Sequence, residues 1–318
     1  MPKLDLSIVA PAYNEAEGIA AFLEQTQTAL EKLNRSYEIL IVDDGSSDAT
    51  VDEIKDYMET HDHIRLIVFS RNYGHEIALA AGLEHARGKY VVQMDSDLQH
   101  PPALIEPLLA KIEEGFDVVY AARENRDEET WLKRTAAKCF YAVARRMTGF
   151  QIPDNATNYR IMSRQVVRSF RKLKESNRHT LMLFAYIGFK TGSINFTTQE
   201  RRAGKSKYSY RKLINLAIDS IISFSHRPLR YMSILSVLIS LIMAVYAGFI
   251  VLQKLFYHQN LAEGVASVIF ITAGLFAVLF LFLAIISEYI GRILVEAKNR
   301  PLYYISEDTY LNKKNTHD

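Results

Sequence analysis

The sequence predicts an α/β protein: a mostly parallel sheet covered on both faces by helices, then interfacial helices, then a hairpin of two membrane-crossing helices. Three observations predict it. Strand-like and helix-like segments alternate from Leu6 to Ala121, the pattern of a parallel sheet with helical crossovers. Carboxylates recur where those strands stop. The last third holds two runs without a charge, Met232 to Leu252 and Val265 to Ser287, each longer than the ~20 residues that cross a ~30 Å hydrocarbon core as a helix.

In chain order, Leu6 to Ala10 is a strand that stops at Pro11, and Glu17 to Leu33 has helical periodicity through Ile19, Phe22, Leu23, Thr26 and Leu30. Glu38 to Val42 is a second strand ending in Asp43-Asp44-Gly45-Ser46, with Asp48 as N-cap of a helix from Ala49 to Glu59. Ile64 to Phe69, Tyr90 to Met94 and Asp117 to Ala121 are further strands; His75 to Ala86 and Pro102 to Glu114 are helices. The small-residue face of Gly74 to Gly82 suits close packing on the sheet. In such sheets ligands bind outside the carboxyl ends of the strands. That edge collects Tyr13 and Glu15, Asp43 and Asp44, Asp95 and Asp97, and Arg123.

The stretch Met94-Asp95-Ser96-Asp97-Leu98-Gln99 carries the strongest chemical signal. If the chain stays extended, Asp95 and Asp97 project from one side. Two hard oxygen ligands at a strand mouth suit Mg2+ or Mn2+ shared with substrate phosphates. No Gly-x-Gly-x-x-Gly follows the first strand, and no Gly-x-x-x-x-Gly-Lys-Ser/Thr occurs, so dinucleotide and P-loop cradles are missing.

A net charge of +2 gives no electrostatic case for a nucleic-acid partner, and the single cysteine, Cys139, leaves no internal disulfide or multi-cysteine zinc site. The N-terminus enters strand-like sequence without a signal-peptide core. Thr130 to Thr148 reads as a basic amphipathic helix containing Trp131, and Lys212 to Phe224 as an interfacial helix leading into the bilayer. Gln199 to Ser209 is a basic loop able to close on an anion. Arg227 and Arg230 before the first span, with Arg292, Lys298 and Arg300 after the second, put both chain ends in the cytoplasm by the positive-inside rule. The expected division is a catalytic domain over 1–206, an interfacial helix over 207–230, spans at 232–252 and 265–287 within 231–288, and a cytoplasmic tail over 289–318.

Taken together, Pro11 to Glu15, Val42 to Thr50, Asn72 to His75, Met94 to Pro102 and Arg202 to Tyr208 resemble, in order, the motifs of the inverting GT-A fold glycosyltransferases. The likeness is to the dolichyl-phosphate mannose synthase-like branch and its bacterial polyprenyl-phosphate relatives. The stretch Glu288 to Arg292 and on to Tyr303 is similar to the two-span bacterial members. The resemblance implies that Pro11, Tyr13, Glu15, Asp43 and Asp44, with Asp95, Ser96 and Asp97, bind a nucleotide sugar. It implies that Asp95, Asp97 and Gln99 sit at the metal and diphosphate, with Asp95, Asp97 and Asp154 as catalytic residues, Asp154 positioning the acceptor or acting as base. Arg123, Arg134 and Lys138 would meet the acceptor phosphate. Arg202, Lys205, Ser206 and Lys207 would close over the diphosphate or acceptor. The implied activity is transfer of a sugar, UDP-glucose being the first-choice donor, to a membrane polyprenyl phosphate for cell-envelope glycan modification. The implied location is the inner (plasma) membrane, and a homo-oligomer stays open. The competing readings are a processive polysaccharide synthase, whose Gln-x-x-Arg-Trp motif has no counterpart around Trp131, and an inactive nucleotide-binding membrane scaffold.

Overall fold

The computed structural model describes residues 4–123, 156–196, 227–257 and 264–309. Eight strands form one sheet: β1 (Leu6–Ala12), β2 (Tyr37–Asp43), β3 (Ile64–Phe69), β4 (Tyr90–Gln93), β5 (Val118–Arg123), β6 (Ala156–Ser163), β7 (Thr191–Phe196) and β8 (Ile305–Asp308). Their order is β7-β5-β6-β4-β1-β2-β3-β8. β1 runs parallel to β2 and β4, β2 to β3, and β5 to β7; β6 is antiparallel to both β4 and β5, and β8 to β3. The expectation of a mostly parallel sheet therefore holds.

The helices between strands are α1 (Ile19–Glu31), α2 (Thr50–Thr60), α3 (His75–His85), α4 (Ile105–Glu113), α5 (Arg164–Phe170) and α6 (Thr180–Ile187). Phe22 and Leu23 of α1 and Leu108 and Ile112 of α4 bury against Ile8, Ile39, Val92 and Ile161 in one cluster. The opposite face receives α3. A Cβ on Gly82 would run into the Val9 side chain, so this glycine sets how closely α3 approaches β1 and β2, as the small-residue stretch suggested. The helix after β2 begins at Thr50, one residue later than expected. Its N-cap residue is Ala49 and not Asp48, which lies one residue earlier and accepts the Thr50 amide at 3.0 Å.

Three strands differ from the expected five. β6 reads Ala-Thr-Asn-Tyr-Arg-Ile-Met-Ser, and its buried Arg160 interrupts the apolar pattern that marks a central strand. β7 is an alternately exposed edge strand, and the close approach of Phe116 to Gly192 explains its glycine. β8 lies in the stretch expected as a tail. It joins the free edge of β3, where Asp308 pairs with buried Arg65 at 2.6 Å and Glu307 with Lys55 at 2.7 Å. A four-residue strand rich in acids has no apolar run to announce it. Its partner is supplied by residues far away in sequence.

Residues 214–299 form a second compact unit, and 1–213 with 300–318 the first. The second unit contains α7 (Arg227–Tyr257) and α8 (Val265–Lys298). Within them Leu229–Tyr246 and Gly274–Lys298 are long and apolar enough to cross a membrane. Their large side chains are exposed, Val237 by 67% and Phe280 by 64%. Their hydroxyls turn inward: Ser233, Ser236 and Ser287 donate to the carbonyls of Leu229, Met232 and Leu283, which satisfies them without water.

Candidate active site

The order β4-β1-β2-β3 means that the chain winds outward from β1 to β3 and then crosses to the other side of β1. The gap between β1 and β4 is thus the switch point at which such sheets bind ligands. Pro11 and Ala12 end β1 here, and Asp95 and Asp97 follow β4. Ser96 ties the two ends together: its buried hydroxyl donates to the Pro11 carbonyl at 2.8 Å.

The acidic turn differs from the extended arrangement that alternation implies. β4 ends at Gln93, and residues 94–98 leave the strand in a turn that places Leu98 at φ 58°. This is the left-handed region, uncommon for a residue with a branched side chain and found where surrounding structure over-determines the backbone. Asp95 and Asp97 therefore do not share a strand face. Asp95 is three-quarters buried between two imidazoles: His75 Nε2 lies 3.3 Å from Oδ1 and His100 Nδ1 lies 3.7 Å from Oδ2. Asp97 is exposed, and its Oδ1 accepts the Gln99 amide at 3.1 Å. Burial pushes the Asp95 carboxyl up, but His75, then His100 and Arg160, outweigh it and hold it below the usual carboxylate range. Burial likewise opposes the charged form of His75, and Asp95 outweighs that to raise it.

The loops after β1 and β2 are stitched together. Asn14, at φ 53°, accepts the Ser47 amide on its side chain and donates its own amide to the Ser46 hydroxyl. Glu15 donates its amide to Thr50 Oγ1 and Ala16 donates to Asp48. Asp43 is fully buried and accepts the amide and hydroxyl of Ser46. Asp44 accepts the amides of Tyr73 and Gly74 at 2.7 and 2.9 Å. Burial raises both carboxyls, and these hydrogen bonds only partly offset it. Gly45 is required directly after them: it sits at φ 71°, and a Cβ would press into the Arg71 backbone. Both acids thus shape the walls of the edge, while Tyr13 is left 46% exposed at its rim.

Of the site residues expected from sequence, Pro11, Tyr13, Glu15, Asp43, Asp44, Asp95, Ser96, Asp97 and Gln99 gather along this edge of β2, β1 and β4. Arg123 ends β5. Asp154, Arg134, Lys138, Arg202, Lys205, Ser206 and Lys207 lie outside the described residues, as do the amphipathic segments Thr130 to Thr148 and Lys212 to Phe224. Sequence reasoning assigned no individual role to His75 and His100, which flank Asp95, or to Asn158 and Arg160 on neighbouring β6. The strand that carries Asn158 and Arg160, Ala156–Ser163, has too short an apolar run to mark it, so no local signal in the sequence pointed to either residue.

The donors fit a hard divalent cation. Asp95 Oδ1 is shielded from solvent and accepts no hydrogen bond, and the exposed carboxylate of Asp97 lies two residues on. Among the described residues no three His, Cys, Asp or Glu side chains form a closed cage. A buried and an exposed carboxylate suit Mg2+ or Mn2+, which bind through one or two carboxylates and fill the rest of their sphere with water and substrate phosphate.

An acidic edge at the switch point of a mixed, mostly parallel sheet defines a GT-A fold glycosyltransferase. Glycosyl transferase family 2 matches residues 7–171, and the chain belongs to that family. It is 40% identical over 304 residues, 96% of this chain and 95% of the other, to an uncharacterized glycosyltransferase of Synechocystis sp.. It is 36% identical over 311 residues, 98% of this chain and 96% of the other, to the uncharacterized glycosyltransferase YkcC of Bacillus subtilis. Among solved structures, the mannosyltransferase PcManGT of Pyrobaculum calidifontis, in complex with GDP-Man and Mn2+, superposes with a TM-score of 0.50 at 18% identity, over 72% of this chain and 65% of that one.

Proposed function

We propose that this glycosyltransferase moves a sugar from a nucleoside diphosphate sugar, UDP-glucose being the first choice, to the phosphate of a membrane polyprenyl phosphate, inverting the anomeric carbon. The observation that carries the lipid acceptor is the presence, in one chain, of an acidic donor-type sheet edge and two exposed apolar helices. A water-soluble donor gives no reason for such helices, whereas a lipid acceptor lies in the bilayer they would enter.

In this reading Tyr13 and Glu15, on walls shaped by Asp43 and Asp44, would receive the nucleoside, while Asp95 and Asp97, with Gln99, would hold a divalent metal and the diphosphate. A phosphate oxygen of the acceptor attacks C1 of the sugar. The bond from C1 to the diphosphate oxygen breaks, and the nucleoside diphosphate leaves with the electron pair. A divalent metal held by Asp95 and Asp97 would supply the positive charge that offsets charge growing on that leaving group. A phosphate monoester has its second pKa near ~6 and is already largely dianionic at neutral pH, so no strong base is obligatory. Asp154 would orient the acceptor, Arg123, Arg134 and Lys138 would bind its phosphate, and Arg202, Lys205, Ser206 and Lys207 would close over the site. The neighbour solved with GDP-Man and Mn2+ supports the combination of nucleotide and metal.

The membrane reading places the sheet unit and both chain ends in the cytoplasm at the plasma membrane. Flanking Arg227, Arg230, Arg292, Lys298 and Arg300 favour that side. The pairing of β8 with β3 supports it further, because a chain that leaves the sheet before α7 and returns after α8 makes an even number of crossings.

The test is purified enzyme with divalent metal, polyprenyl phosphate and a panel of radiolabelled nucleotide sugars. Label in an organic-extractable, mild-acid-labile product of inverted configuration is expected. Label only in a long polymer would instead favour a processive synthase, and no turnover of any donor a nucleotide-binding scaffold.

A further inference from the structure

The stretch Arg300 to Tyr303, which follows the second span, takes no part in the donor and acceptor chemistry above. It packs at the carboxyl end of β3. Tyr303 is half-buried there: its ring stacks on Phe69, the last residue of β3, with centroids 4.8 Å apart and planes 20° from parallel, and its hydroxyl donates to Glu84 Oε2 at 2.7 Å. The Tyr304 carbonyl accepts the Ser70 amide at 2.9 Å. Two successive residues thus hold the point where β3 passes into the loop before α3. Both precede β8, so closing the sheet edge does not by itself account for them.

The loop they hold, Ser70 to Gly74, is part of the wall around Asp44. Its Tyr73 and Gly74 amides are the donors to the Asp44 carboxylate, and its Arg71 and Asn72 backbone lies directly against Gly45. Little within the loop fixes this shape. Gly74 sits at φ 104°, where side chains are rarely tolerated, and Ser70, Arg71 and Asn72 are exposed. The Tyr73 ring has three neighbours: Phe69 edge-on at 5.7 Å, the Arg71 guanidinium at 4.0 Å, and Ser70 Oγ at 3.2 Å from its hydroxyl. Only Phe69 is buried. The firm support of the loop is therefore a series of rings, Tyr303 on Phe69 on Tyr73, that ends in the amides bonded to Asp44.

We infer that Tyr303 is a positioning residue for the nucleoside diphosphate of the donor: it backs Phe69, which seats the Ser70 to Gly74 loop, and that loop sets the Asp44 carboxylate in the donor wall. The inference rests on the donor reading above. It makes the donor site depend on a segment separated from it in sequence by both spans.

The experiment is calorimetric titration of the full chain with UDP and, separately, GDP in the presence of Mn2+, for wild type, Tyr303→Ala, Tyr303→Leu, Tyr303→Phe and Ile112→Ala, beside thermal melts. Substitutions along packed side chains that couple two sites typically change the coupling by roughly 2- to 30-fold. Tyr303→Ala is expected to weaken nucleotide binding by about fivefold or more, and Tyr303→Phe, which keeps the stacked ring, to stay within about twofold of wild type. Ile112→Ala opens a cavity on the face of the sheet opposite α3. It should lower the melting temperature and leave nucleotide affinity within about twofold, the mark of lost stability alone. Folded Tyr303→Ala with wild-type affinity would overturn the inference, as would Tyr303→Phe or Ile112→Ala weakening binding as much as Tyr303→Ala. If Tyr303→Ala does not fold, Tyr303→Leu decides by the same reading. Wild type that binds neither nucleotide would remove the donor reading and this inference with it, whereas wild type that binds while its Tyr303 variants match it removes the inference alone.

Discussion

The two compact units use the same residue types in opposite ways. In the sheet unit Ile8, Ile39, Ile41 and Val42 are wholly buried between helices; in the helical unit Val237, Ile242 and Phe280 are about two-thirds exposed. The first buries apolar surface by folding. The second keeps it outside while closing its polar groups inward, down to the serine hydroxyls bonded one turn back. Apolar content therefore says little about a segment's surroundings until the partners of its polar groups are known.

The largest effect expected from breaking this contrast is at the seam where the chain returns from the helices to the sheet. Asp308→Ala leaves Arg65 buried without its carboxylate, and breaking such a pair typically costs about 3–5 kcal/mol; urea unfolding of the sheet unit would register it. A loss below about 1 kcal/mol would mean that β8 contributes little to the sheet. Next come paired truncations of one residue type. Ile41→Ala should cost about 2–5 kcal/mol as a buried cavity, whereas Ile242→Ala, already exposed, should leave the sheet unit's unfolding midpoint unchanged. Equal losses would erase the distinction between the units.

A charge placed on the helical face sharpens the comparison from the other side. Val237→Asp lies near the middle of the Leu229–Tyr246 window, where an acid costs about 2.5–3.5 kcal/mol of insertion free energy. Carbonate extraction of membranes should then release more of the variant than of wild type; unchanged retention would count against a lipid-facing α7. At the acidic edge, Asp97→Asn should leave the melting curve intact and lower turnover by about 100-fold, the scale of losing one electrostatic contact to transition-state charge. Near-normal turnover of this variant would remove Asp97 from the proposed metal site.

The smallest effect concerns pH. Burial raises the Asp44 carboxyl above its unfolded value, so the folded state binds the proton more tightly, and this group's contribution to stability falls as pH rises through that range. The melting-temperature difference between wild type and Asp44→Asn should therefore shift in favour of wild type on going from neutral pH towards about pH 4. A shift the other way would show that the Tyr73 and Gly74 amides outweigh burial.

The sequence by itself determined the features that rest on local periodicity. Apolar runs bounded by turn residues located β1 through β4, α1 through α3 and the charge-free cores of α7 and α8 to within a few residues, because each run carries its own period and ends in its own Pro, Gly or Asp. The same locality exposed Asp43, Asp44, Asp95 and Asp97 as strand-end acids. Tertiary structure alone decided where β6 and β8 enter the sheet, since each pairs with a strand far away in sequence and neither has an apolar run long enough to mark it. It also decided that the Asp95–Asp97 segment is a turn instead of an extended pair, and that His75 and His100 flank Asp95. The contact with His75 joins α3 to the turn after β4. Spacing along the chain cannot encode it, because the distance between these side chains is set by strand order and register.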